Sequence, residues 1–159
     1  MKIVVFSGTT EGRTLSRRLA ALGAEVTVCV ATKLGAEEQG SAPGVTIHTG
    51  RLDEAEMTTL LQNTALCIDA THPYATEATR NICAAAAAAG VEYRRLLRPA
   101  SALPAGSVVL PSAEEAAQYL AEKPGNVLLA TGAKELPAFA ALDPARLFPR
   151  VLPTVAGIT

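Results

Sequence analysis

The sequence predicts an α/β fold, a parallel sheet with helices on both faces. Two observations predict it. Short apolar, β-branched runs alternate with longer segments of helical periodicity along the whole chain. Capping and turn residues also stand where that alternation needs them: Gly23, the Asp53/Glu56 pair and Gly90. Repeated β-α-β alternation gives parallel strands joined by right-handed crossovers, and ligands then sit at the carboxyl ends of the strands.

The elements follow in order. Residues 3–6 form a buried strand, and residues 11–22 a helix with Leu15, Leu19 and Leu22, closed by Gly23. Residues 25–30 form a second strand. Residues 32–44 are polar and glycine-bearing, a loop with at most one helical turn. Residues 45–48 form a third strand; Asp53 then caps a helix carrying Leu60 and Leu61. Residues 65–69 make a fourth strand, 77–89 a helix that contains an alanine run, and 92–96 a fifth strand. Residues 108–110 read as a short strand, Ser112 caps a helix over 113–121, and 127–130 is another strand. A helix from about Glu135 and a strand over 147–152 complete the order. The Pro- and Gly-bearing stretch 99–106 reads as a linker between a domain at 1–98 and an incomplete second α/β domain at 107–159.

Composition narrows the function. A chain of 159 residues with net charge −1 lacks the basic excess that nucleic acid or an anionic membrane surface would select. Three Phe, three Tyr and no Trp leave little for base stacking. Cys29, Cys67 and Cys83 are widely spaced in apolar runs and read as reduced, buried thiols. The first apolar run is four residues long, too short for a signal peptide, so the expected location is cytoplasmic. Mean hydropathy is +0.25, much of it from alanine. No His/Cys/Asp cluster has metal-ligand spacing, and no metal site is expected.

Five segments carry chemistry. Gly8-Thr9-Thr10-Glu11-Gly12-Arg13 joins a strand to a helix N-terminus, where glycine permits close approach and N–H groups favour an anion. Its glycine spacing is neither G-x-G-x-x-G nor a Walker loop. The plainer reading is a simple turn with Thr10 as N-cap and Arg13 solvated. Glu11 would repel a phosphate, so it holds a ribose hydroxyl, caps the helix or faces the substrate. After the second strand, Thr32 and Lys33 stand where an NAD-selective site has an acid, and they suit a 2′-phosphate; an ordinary exposed loop is the alternative. In Asp69-Ala70-Thr71-His72-Pro73-Tyr74-Ala75-Thr76, Pro73 fixes the turn and His72 is a candidate proton donor. The alternative is a histidine satisfied by backbone, with Thr76 capping the next helix. Tyr93-Arg94-Arg95-Leu96-Leu97-Arg98 gathers three arginines around a strand end, either a carboxylate-binding patch or a solvated edge. Thr131-Gly132-Ala133-Lys134 repeats the opening pattern with a lysine for an acidic ligand.

Taken in this order, and with Gly50-Arg51-Leu52, Arg98-Pro99 and Arg150-Val151-Leu152-Pro153, these segments resemble the precorrin-6A reductase family of cobalamin biosynthesis, including its cobalt-precorrin-6A form. The D-A-T-H-P-Y-A block is the most specific element of the resemblance, which runs from end to end. It implies two Rossmann-like halves with ligands between them, and reduction of one double bond in a polycarboxylate tetrapyrrole by hydride from NADPH or NADH. Residue by residue, it implies that Gly8, Thr9, Thr10, Glu11, Arg13, Thr32 and Lys33 meet the dinucleotide. Thr71, His72, Pro73, Tyr74, Arg98, Gly132 and Lys134 would meet the substrate, with His72 and Tyr74 as candidate proton donors. Family members continue well past the R-V-L-P block. The chain therefore reads as an N-terminal portion, expected to bind rather than to complete hydride transfer. An unfinished sheet would expose edges that invite a second copy. The competing class is a nucleotide-binding sensor or scaffold without chemistry.

Overall fold

Strand and helix alternate as β1 (Lys2–Ser7), α1 (Thr10–Ala21), β2 (Glu25–Val30), α2 (Lys33–Gln39), β3 (Val45–Thr49), α3 (Glu54–Leu61), β4 (Leu66–Ala70), α4 (Thr76–Ala88) and β5 (Glu92–Arg95) in the computed structural model. The structure describes residues 1–98 and 101–151. It forms two compact units, Met1–Ala100 and Ser101–Thr159. In the first, all five strands pair in parallel in the order β3-β2-β1-β4-β5. The predicted α/β class with a parallel sheet is what the chain adopts.

β1 is apolar without alternation because both of its faces are covered. Val4 and Phe6 pack with Met57 and Leu61 of α3 and Ile82, Ala85 and Ala86 of α4. Ile3 and Val5 face the other way, into a cluster with Leu15 and Leu19 of α1 and Ala36 of α2. Ala85 and Ala86 are fully buried, so the alanine run gives α4 a small-residue face.

Local chemistry explains the helix ends. Asp53 and Glu56 form the expected capping box: the Asp53 carboxylate accepts from the Glu56 N–H, and the Glu56 carboxylate from the Asp53 N–H, each at 2.8 Å. Residues 32–44 are not the loop expected. Thr32 caps α2 by accepting the Gly35 N–H at 3.0 Å, and Gly40 (φ +60°) ends it. Ala75 precedes α4 with no side-chain cap, so Thr76 does not cap it. Cys83 is exposed, contrary to expectation, because helical spacing buries its neighbours Ile82, Ala85 and Ala86 instead.

The second unit holds α5 (Ala113–Ala121), β6 (Val127–Leu129) and β7 (Leu147–Pro149), with 3-10 turns at Ala133–Phe139 and Pro144–Arg146. β6 and β7 pair in parallel, and Ala117, Leu129, Phe139 and Leu142 form the core. Three expectations are corrected here. Residues 108–110 form no strand; Val108 and Val109 are exposed and unpaired among the described residues. The helix expected from Glu135 is a 3-10 segment, Ala133–Phe139, with Pro137 inside it; in an α-helix the proline ring would clash with the carbonyl of Ala133, four residues back. β7 stops at Pro149, after which the Arg150 N–H still donates to the Leu129 carbonyl at 2.8 Å. Pro99, Leu152 and Pro153 lie outside the described residues.

Candidate functional site

The strand order reverses between β1 and β4, and the two loops leaving their carboxyl ends adjoin. That is where open parallel sheets bind ligands. Thr9, not Thr10, is the N-cap of α1. Its Oγ1 accepts the Gly12 N–H at 3.1 Å and donates to the Ala70 carbonyl at 3.0 Å, so one hydroxyl closes the helix end and ties it to β4. The Arg13 N–H donates to the Thr9 carbonyl at 3.1 Å. Among the described residues this leaves the Thr10 N–H with no backbone partner at a helix N-terminus, the arrangement that attracts an anion, while the Glu11 N–H meets its own carboxylate.

The two glycines of the turn have different duties. A Cβ at Gly8 would meet nothing nearer than the His72 nitrogen and Thr71 Cα, both at 3.9 Å. Its exposed backbone therefore stands open to a ligand, opposite the β4–α4 loop. A Cβ at Gly12 would fall 2.7 Å from Ser7 Oγ and 2.8 Å from Ala70 Cβ. Gly12 thus lets α1 approach the strand ends.

Glu11 pairs with Arg98: Nε donates to Oε1 at 2.8 Å and Nη2 to Oε2 at 3.3 Å. The Arg98 hydrogen bond, helped by Glu11's own N–H, holds this carboxyl below the usual range against a small opposing effect of burial. The two residues that the sequence assigns to cofactor and substrate are thus bonded to each other. Arg13 is not simply solvated, since its Nη1 donates to the Glu38 carbonyl at 2.8 Å, at the carboxyl end of α2. Arg17 does the same for Gln39 at 2.7 Å. Thr32 spends its oxygen on capping α2, and Lys33 beside it is exposed.

In the β4–α4 loop, His72, Pro73 and Tyr74 are exposed, Tyr74 at 88%. His72 Nδ1 accepts the Tyr74 N–H at 3.3 Å, which places the proton of the neutral ring on Nε2. Thr71 is half-buried, because beneath it lies a carboxylate that no predicted role covers. Asp69 is 0% exposed. Its Oδ1 accepts the Thr71 N–H at 3.0 Å and the Thr71 hydroxyl at 2.8 Å, and pairs with Arg95. Its Oδ2 accepts the Tyr93 hydroxyl at 3.1 Å. Burial, then the Asp69 charge, raises the Tyr93 phenol well above its ordinary value. Asp69, Tyr93 and Arg95 share one face of the sheet, and Asp69 registers with Arg95.

Gly132 and Lys134 belong to the second unit. Both are exposed, and Thr131 Oγ1 beside them is buried with no partner among the described residues. Among the described residues, no group of three or more His, Cys, Asp or Glu could hold a metal, and no helix is long and apolar enough to cross a membrane.

Comparison with known proteins yields one consistent family. The family model described as precorrin-6x reductase CbiJ/CobK matches residues 2–159. A cobalt-precorrin-6A reductase of Priestia megaterium is 35% identical over 158 residues, covering 95% of this chain and 62% of that protein. One of Methanothermobacter thermautotrophicus is 33% identical over 168 residues, covering 99% and 54%. A solved structure titled CobK precorrin-6A reductase superposes with a TM-score of 0.77 at 28% identity, covering 95% of this chain and 60% of that one. The chain thus spans under two thirds of the length of these relatives.

Proposed function

This chain belongs to the precorrin-6x reductase CbiJ/CobK family, and from that premise we propose that its first unit binds the nicotinamide dinucleotide of a reductase acting on precorrin-6A or its cobalt form. The observation that carries the reading is the junction of the β1 and β4 loops at the order reversal, with Gly8 open opposite Thr71 and His72. Gly8 and the Thr10 N–H fit a pyrophosphate in backbone access, and the negative charge of Glu11 beside them is offset by Arg98. Thr9 serves by shaping the turn. Lys33, with Thr32, would meet a 2′-phosphate, which favours NADPH over NADH. Bound there, the nicotinamide would supply a hydride to a double bond of the macrocycle.

The remaining assignments concern the macrocycle, a polycarboxylate. Arg98, on release from Glu11, offers a planar fork to a carboxylate, and Lys134 offers a point charge. Exposed His72, with its proton on Nε2, and exposed Tyr74 are the candidate donors of the proton that completes the reduction.

Isothermal titration of this chain with NADPH and NADH tests the binding half. NADPH should bind more tightly, and Lys33→Met should erase the preference. Binding of neither dinucleotide would overturn the reading. NADPH oxidation in the presence of the tetrapyrrole, followed with a chain of the relatives' full length, tests the chemistry. Binding without oxidation there would leave only a nucleotide-binding module.

A further inference from the structure

One fully buried carboxylate of the first unit is a group that the proposed binding does not touch. Asp69 is wholly buried, and four donors converge on its two oxygens. A buried ion pair is weak evidence for stability, because desolvation consumes most of the attraction. Its effect has to be sought in what it holds.

It holds the β4–α4 loop. Arg95 donates from Nη1 to Thr71 Oγ1 at 2.8 Å, and its Nη2 reaches the His72 carbonyl at 3.5 Å. That carbonyl also accepts the Ala75 N–H at 2.9 Å, the bond that closes the turn. Through Asp69, the same guanidinium also grips the Thr71 N–H. Arg95 therefore spans both loop residues that stand 3.9 Å from where a Gly8 Cβ would lie. The Tyr93 hydroxyl ends on the other oxygen, Oδ2, and contacts neither.

We infer that Arg95 is a positioning residue: anchored on Asp69, its planar fork fixes the Thr71–His72 backbone against the Gly8 turn and so sets the width of the dinucleotide cleft. The inference rests on the proposed dinucleotide site for its ligand, though not for its geometry.

Two variants separate positioning from plain stability. Arg95→Lys keeps a charge beside Asp69 but loses the fork that spans Thr71 and His72. Tyr93→Phe removes one hydrogen bond from the same carboxylate and leaves the loop contacts in place. With Arg95→Lys, amide exchange at Thr71 and Ala75 should speed up by about ten- to a hundredfold, and the Kd for NADPH should rise by a similar factor. Tyr93→Phe should lower the stability of the unit as a whole, yet exchange at Thr71 and Ala75 through local opening, and the Kd, should stay within about twofold of the parent chain because the Arg95 contacts to the loop remain. Equal effects of the two variants on exchange, or no effect of Arg95→Lys, would overturn the inference. If the parent chain binds no NADPH, the dinucleotide reading falls, and the exchange contrast alone decides whether Arg95 positions the loop.

Discussion

Replacing Gly12 by alanine tests whether close approach of α1 to the strand ends is what this glycine provides. The new methyl carbon would lie 2.7 Å from Ser7 Oγ and 2.8 Å from Ala70 Cβ. The serine hydroxyl can rotate away, but Ala70 Cβ is fixed to a fully buried residue of β4. Overpacking of this kind costs about 1–3 kcal/mol. Alanine returns up to about 1 kcal/mol through its better helix propensity. The fixed Ala70 Cβ puts this clash in the upper part of that range, about 2–3 kcal/mol, so the net loss is about 1–2 kcal/mol, a factor of roughly 5–30 in the population of opened molecules. The assay is amide exchange in β1, whose buried N–H groups exchange through opening of this unit. Gly8→Ala is the control: its Cβ meets nothing closer than 3.9 Å, so stability should hold within about 0.5 kcal/mol. A Gly12→Ala chain at least as stable as its parent would refute the close-approach argument, and with it the fixed relation of α1 to Ala70.

Two predictions concern ionisation. The Glu11 carboxyl lies below its ordinary value because of Arg98, so the pair's contribution is complete above the usual carboxylate range and is lost as pH falls through the depressed value. Carbon-13 titration of the carboxyl should show this, and Arg98→Met should move the midpoint back up; an unmoved midpoint would remove Arg98 as the cause. Burial pushes the Cys29 and Cys67 thiols up to about 12, aided at Cys67 by the Asp69 charge, whereas Cys83 is exposed. Iodoacetamide at pH 8 should therefore label Cys83 in the native chain and reach the other two only on unfolding. Because both pKa values are raised in the folded state, their contribution to stability is complete below about 9, and denaturation curves should show it declining as pH climbs from there toward about 12.

What the sequence made legible was governed by neighbours along the chain. The run at residues 3–6, the Asp53/Glu56 box and the turn at Gly8 each carry their signal within a few consecutive residues, and each formed. Where local signals conflicted, the reading failed in both directions. Gly35 masked a capped helix at Thr32, and an apolar triplet at 108–110 imitated a strand that has no partner to pair with among the described residues. The Asp69 network lay beyond reach for a different reason. Phe6, Asp69 and Arg95 lie side by side on neighbouring strands, yet they are far apart along the chain, and only the register makes Asp69 face Arg95. A shift of one residue would turn Arg95 to the opposite face and bring Arg94 over the carboxylate's neighbours instead. In the sequence alone, Arg94, Arg95 and Arg98 were one positive patch. In the fold they divide by face and by depth. Arg94 bonds exposed Glu92, Arg98 bonds Glu11 at the α1 N-terminus, and Arg95, half-buried, bonds fully buried Asp69. Of the three, only Arg95 has its charge committed to a fully buried partner, so it is the one least able to turn toward a ligand and the one best placed to fix the loop that does.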